Sequence, residues 1–160
     1  MLTFREEDRA FTYRVAGLAL HDGKLLVLQA AGDDFWIVPG GRGEFFEPSP
    51  ETLRREMREE LDLDVTVERL IWVVENFYEY AGAMCHELGL YFEMSLPAGS
   101  PLLDSDGPFA GQEDNGTPLC FRWHPISRLA ELRLLPSFLS DALQDIPGET
   151  THIVHWDKKE

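Results

Sequence analysis

The sequence predicts an α/β fold in which a mixed β-sheet lies between helices. Three observations carry this. β-branched, apolar segments both precede and follow one carboxylate-rich helix, and further helical pattern follows at the C-terminal end. The chain is 160 residues long with 44% hydrophobic and 27% charged residues, ordinary values for a globular protein with its own core. No internal repeat, low-complexity tract or linker interrupts it, so residues 1–160 read as a single domain.

Residues 11–20 are apolar and β-branched and read as a strand. His21-Asp22-Gly23-Lys24 is a hairpin turn signal, and 25–29 resume as a second strand. Gly32-Asp33-Asp34 opens a loop, 35–38 form a short strand, and Pro39-Gly40-Gly41 breaks it. Ser49 is placed as a helix N-cap with Pro50 at the first helical position. Leu53, Met57 and Leu61 recur at i, i+4 and i+8, giving one apolar stripe on a helix ending near Leu61. Residues 65–74 read as strand continuing towards Phe77. In 86–96, Leu88, Leu90, Phe92, Met94 and Leu96 share one face, while Glu87, Tyr91 and Glu93 share the other. His86 has the parity of the apolar face and reads as a core histidine. Residues 97–118 are rich in Gly, Pro, Ser and Asp and read as a long functional loop. A strand at 119–123, mostly helical pattern over 125–143 broken at Pro136, and an edge strand at 152–156 complete the reading.

The formal charge of −15 argues against duplex nucleic acid, whose phosphates need a basic partner. It leaves room for a small phosphorylated substrate bridged to carboxylates by divalent cations. No apolar run approaches the roughly 18 residues of a membrane span, and the acidic start lacks a secretory pattern, so a cytoplasmic protein is expected. Cys85 and Cys120 read as reduced core thiols.

Chemistry concentrates in residues 41–63. Glu56, Glu59 and Glu60 stand at i, i+3 and i+4, so a helix projects them from one face. Such carboxylates repel unless water, salt and the interleaved Arg54, Arg55 and Arg58 screen them, or a hard divalent cation binds. Helix composition alone favours the solvated face. The glycines before the helix change the balance, because their backbone can approach a ligand closely. Glu47 in the connecting loop and Arg55 on the helix are placed to pin that loop by an ion pair.

The segment closely resembles the Nudix box: Gly, five residues, Glu, seven residues, then Arg-Glu-apolar-any-Glu-Glu-any-Gly-apolar. Gly41, Glu47, Arg55, Glu56, Met57, Glu59, Glu60 and Leu63 match it, and Asp62 stands where the family has Gly. Asp tolerates the left-handed conformation usual at a helix end at modest cost. The strand with Trp36 leading into Pro39-Gly40-Gly41, and the late Trp123-His124-Pro125, also look right for the family.

The resemblance implies a Nudix-type α/β/α sandwich and hydrolysis of a pyrophosphate linkage in a nucleoside diphosphate derivative. It implies Mg²⁺ as cofactor, with Mn²⁺ able to substitute. Glu56, Glu59, Glu60 and the Gly40 carbonyl become the expected metal ligands, Glu56 also a group that orients or deprotonates water, and Arg55 the partner of Glu47. Family members often add a carboxylate from outside the box, for which Glu113 and Glu87 are the two candidates, with solvent exposure the alternative for each. Arg14 and Arg42 are candidates for substrate phosphate. Tyr80 falls near the spacing seen in dinucleoside polyphosphate hydrolases, and Phe77, Tyr78, Tyr80 and Phe109 are candidates to stack on a base. The substrate itself is not legible, and a homodimer stays open. The competing reading is a non-catalytic Nudix-fold module that binds a nucleotide or a protein. Such modules typically lose box carboxylates, and Glu56, Glu59 and Glu60 all remain.

Overall fold

A computed structural model describes residues 1–157. Nine strands form one mixed sheet: β1 (Thr3–Glu6), β2 (Arg9–His21), β3 (Lys24–Ala30), β4 (Gly40–Arg42), β5 (Thr66–Tyr80), β6 (Ala83–Ser95), β7 (Phe109–Gln112), β8 (Pro118–Pro125) and β9 (Thr151–Trp156). The spatial order is β7-β8-β3-β2-β6-β5-β9, with β1 and β4 both paired to β2. The β2–β6 and β5–β9 pairs are parallel and the rest antiparallel, which is the mixed sheet expected.

Helix α1 (Ser49–Leu61) packs on one face. Its Leu53 and Met57, both fully buried, meet Val15, Ala19, Phe92 and Met94 in one apolar core. Val15, Phe92 and Met94 are alternate residues of their strands and so lie on one side of the sheet. The other face is covered by a 3-10 turn (Ile126–Glu131) and the single-turn helix α2 (Leu139–Ala142), whose Leu129 and Leu139 meet Leu18, Trp72, Val74 and Tyr91. The result is the α/β/α sandwich, with a thin outer layer on this side. Pro136 and the short apolar runs around it prevent the long helix anticipated over 125–143.

Several sequence-level expectations shift. Ser49 is the first helical residue and Pro48 the N-cap, with no side-chain capping bond. Gly40 and Gly41 do not end strand structure but begin β4, held against Ala16 and Val15 of β2. Residues 35–38 make only isolated bridges, Leu28 with Ile37 and Trp36 with Leu134. Tyr91 and Glu87 are buried although they share the less apolar face of β6: Tyr91 lies in the core under α2, and Glu87 is covered by Tyr78 and Arg14 further along the strand. His86 is exposed, not a core residue: it lies in a cross-strand row of rings, 5.2 Å from Phe11 and 4.5 Å from Phe77. Cys85 and Cys120 are free thiols, as expected, but only half-buried.

The 97–118 segment is not a loose loop. It contains a 3-10 turn (Pro101–Leu103) and β7, and the Trp123 indole N–H donates to the Leu102 carbonyl at 2.7 Å. Gly111 lets β7 lie directly on α1: a Cβ there would stand 2.6 Å from the Glu60 carbonyl oxygen.

At the end of α1, Asp62 adopts the left-handed conformation (φ 51°, ψ 45°) with its N–H donating to the Arg58 carbonyl at 2.9 Å. Asp62→Gly is therefore expected to stabilise the fold by about 0.5–1 kcal/mol, since glycine adopts this conformation without a Cβ penalty. Chemical denaturation checks it; an unchanged or lower midpoint contradicts it.

Candidate active site

Arg55 organises the carboxylate face of α1. Its Nε donates to Glu47 Oε2 at 2.8 Å and one terminal nitrogen donates to Glu47 Oε1 at 3.1 Å. The same nitrogen donates to the Arg42 carbonyl at 3.0 Å, and the other reaches Glu56 at 2.8 Å and Glu59 at 3.2 Å. The loop pinned to the helix by Glu47 and Arg55 is thus as the sequence suggested. One contributor was missed: Thr52, fully buried, donates from its hydroxyl to Glu47 Oε1 at 2.7 Å. Its place three residues before Arg55 on the same helix face was the available signal. These bonds to Arg55 and Thr52 hold the Glu47 carboxyl below its ordinary range despite partial burial.

Glu56 lies over Gly41. A Cβ on Gly41 would fall 2.1 Å from the Glu56 carboxyl carbon, so only glycine admits this carboxylate. Gly41→Ala is accordingly expected to displace Glu56 and lower turnover at least tenfold while the fold persists. Wild-type turnover in that variant would show that the Glu56 position is immaterial. Gly40, with positive φ, packs equally tightly: a Cβ would meet the Val15 carbonyl oxygen at 2.1 Å.

Burial raises the Glu56 carboxyl, partly offset by Arg55. Glu60 is pushed further, to about 8, first by burial and then by the charges of Glu56, Glu113 and Glu59, with Arg14 opposing. Its Oε2 is buried and has no hydrogen-bond partner among the described residues. Among the described residues no three Asp, Glu, His or Cys side chains already converge as a ligand cage. An orphaned carboxylate oxygen beside two more carboxylates nevertheless has the chemistry of a hard-cation site, since a bound cation would satisfy that oxygen and offset the repulsion.

The remaining candidates sort by strand face. Arg14 pairs in register with both Arg42 and Gly89, and Glu87 pairs with Thr12 and Asn76. Arg14, Arg42, Thr12, Glu87, Asn76, Tyr78 and Tyr80 therefore occupy one face, beyond the cover of α2. An Arg14 guanidinium nitrogen donates to the Val38 carbonyl at 2.8 Å. Burial acts to discharge this group, but Glu87, Tyr91 and Glu60 hold its proton more firmly still. The structure thus brings Arg14 close to the helix carboxylates. Arg42 shares its face, but its guanidinium turns to the Met1 sulfur at 3.3 Å. Glu87 is 6% exposed and accepts from the Tyr78 hydroxyl at 3.1 Å, which rules out the solvent-exposed alternative for it. Glu113 is exposed at the β7–β8 turn, near enough to act on both Glu60 and Tyr80. Phe77 belongs to the ring row on the opposite face, stacked 4.0 Å from Trp156. Phe109 packs against the α1-side core.

Comparison with known proteins places this geometry. A family model described as NUDIX domain matches residues 11–145. No curated protein matches the chain by sequence. Among solved structures, a UDP-X diphosphatase aligns with a TM-score of 0.63 and 20% identity, covering 89% of this chain and 66% of its own. The MutT protein from Methanosarcina mazei Go1 aligns with a TM-score of 0.60 and 16% identity, covering 88% and 94%. An ADP-ribose pyrophosphatase from Streptococcus suis 89-1591 gives 0.53 and 14%, covering 90% and 98%. At these identities the structural likeness speaks for the fold.

Proposed function

The chain belongs to the NUDIX family of hydrolases, and on that footing we propose that it cleaves a pyrophosphate linkage in a nucleoside diphosphate derivative with Mg²⁺ as cofactor, Mn²⁺ substituting. The observation that carries this reading is the buried, unpartnered Glu60 Oε2 beside Glu56 and Glu59. Glu56, Glu59, Glu60 and the Gly40 carbonyl would hold the cation. When bound, it supplies charge neutralisation at the phosphate oxygens and acidification of water.

The chain's own groups do the rest. Arg55 fixes the Glu47 loop and turns Glu56 and Glu59 to one side through the bonds described above. Glu56, its carboxyl raised by burial, would take the proton from the attacking water. The water oxygen forms the new P–O bond, the bridging P–O bond breaks, and its electron pair leaves with the departing phosphate. Arg14, a permanent cation near Glu60, would hold phosphate oxygens, with Arg42 a second donor on the same strand face. Glu113, exposed and near Glu60, would help orient the water. Glu87, buried under Tyr78 and close to Arg14, fits support of that arginine better than proton transfer.

The test is an assay of nucleoside diphosphate sugars, dinucleoside polyphosphates and nucleoside triphosphates with Mg²⁺, with products identified. Turnover that vanishes with chelator and returns with Mg²⁺ or Mn²⁺ is expected. Full turnover in metal-free buffer, or none on any substrate with metal, overturns the reading.

A further inference from the structure

We propose that Phe45 and Phe46 form a plug that enters an aromatic groove on a second copy of this chain, the exchange being reciprocal, so that two copies close into a dimer. The proposal stands independently of the hydrolase reading.

The plug is the tip of the segment between β4 and α1. Phe46 is as exposed as in an extended chain (104%), and Phe45 is more than half exposed. Phe46 also holds φ 62°, the left-handed region that a bulky side chain rarely adopts. Two large rings are thus displayed to water at a cost in backbone strain. The segment that carries them is anchored, because Arg55 holds Glu47. Neither ring packs in an apolar core.

The groove has a volume of about 410 Å³. It lies on the sheet face away from Arg14 and Glu87. Its floor is the row of rings, one from each of five strands in register: Phe4, Phe11, His86, Phe77 and Trp156. Phe4 and Trp156 are more than half exposed, and so is half of Met84 beside them. Phe77 stands 4.0 Å from Trp156 and 4.5 Å from His86, so these rings turn their faces onto one another and their edges outward. Such a floor suits benzyl side chains, which meet ring edges readily.

Three observations make the occupant a second copy. The first is charge. Arg5 and Arg9 line the groove with Glu6, a basic excess in a chain of net charge −15. Among the described residues neither arginine makes a side-chain hydrogen bond or ion pair. The plug is acidic, its two rings standing between Glu44 and Glu47. The net charge also disfavours the anionic surface of a membrane. The second is area. Phe4, Phe45, Phe46, Met84 and Trp156 together expose on the order of 700 Å², close to the roughly 800 Å² that each partner of a stable complex gives up. The third is placement. The Met1 ammonium pairs with Glu44, and the Leu2 N–H donates to the Gly43 carbonyl at 2.8 Å. Two residues on, Phe4 opens the groove. Plug and groove are therefore neighbours on one molecule, and a two-fold axis between them satisfies both contacts at once and leaves no open end.

The experiment is sedimentation velocity on the full chain over a wide concentration range. The wild type is expected to pass from monomer to dimer as concentration rises. Phe46→Gly removes half of the plug and relieves the left-handed strain, so a lost dimer in that variant is not misfolding. A Phe45→Ser, Phe46→Gly double variant removes the plug altogether, and a Phe4→Ser, Met84→Glu double variant spoils the groove. Each of the three, folded by circular dichroism, should dissociate at least tenfold more readily than the wild type. An equimolar mixture of the two double variants separates reciprocal docking from simple stacking of two apolar faces. In the mixture one intact plug meets one intact groove, so a heterodimer should form that neither variant forms alone. A wild type that stays monomeric at every concentration, plug variants that associate as the wild type does, or a mixture that stays monomeric overturns the proposal.

Discussion

Glu60→Gln is expected to lower turnover about 10²-fold or more, because it removes a charged oxygen ligand while keeping the side chain's size. The same variant should be more stable than the wild type in metal-free buffer at pH 8. The Glu60 carboxyl is pushed up to about 8, first by burial. The folded protein therefore keeps a proton that the unfolded chain, near its ordinary 4.5, has given up. Stability from this group is fully present below about 4.5 and is lost as pH rises towards about 8. Wild-type melting temperature in chelator should fall across that window and recover on adding Mg²⁺; Glu60→Gln should flatten the fall and respond less to Mg²⁺. Thermal melts at several pH values, with and without metal, check both parts. Wild-type turnover in Glu60→Gln would remove this residue from the site.

Much of the fold was legible because its signals are local. The Asp22-Gly23 turn, the i, i+4, i+8 stripe of α1 and the alternation in β6 each follow from one segment's own geometry. What escaped depends on packing between segments. Gly40 and Gly41 look like a strand breaker in isolation, but β2 and the Glu56 side chain demand that close backbone approach. The β7 strand hid in a loop-like composition because Gly111 is there for contact with α1, not for flexibility. The tight turn at Ala81-Gly82 carries no strong turn signature, so the placement of Tyr80 was not readable from residue types.

The candidate site divides the same way. Glu56, Glu59, Glu60, Glu47 and Arg55 were legible because a helix fixes their spacing and a known motif fixes their types. Thr52 and the burial of Glu87 were not, since each is set by a partner outside its own element. Glu113 was expected within a long loop over 97–118, and it stands instead on the turn of an ordered hairpin. Any effect of Glu113→Gln on turnover would then come from its charge near Glu60, not from loop closure.

Arg55→Ala is expected to cost both stability and activity. The guanidinium serves two oxygens of Glu47, the Arg42 carbonyl, Glu56 and Glu59 from one planar group. Its removal leaves Glu47, whose only other side-chain partner among the described residues is Thr52, with an uncompensated carboxylate, and it releases the charges of Glu56 and Glu59 towards each other. Breaking a partly buried network of this kind costs about 2–3 kcal/mol, less than a fully buried pair because the arginine is 26% exposed. For a chain of this length that is a fall of about 5–10 °C in melting temperature. Turnover should drop at least tenfold, because the Glu47 loop no longer holds β4 and Gly41 against the helix. Arg55→Lys keeps the charge but offers three donors around one point in place of a planar fork, so it should recover less than half of either loss. Glu47→Gln in the Arg55→Ala background should add little further destabilisation, since the pair acts as a unit. Additive losses in that double-mutant cycle, or full rescue by lysine, would show that Arg55 contributes only general positive charge.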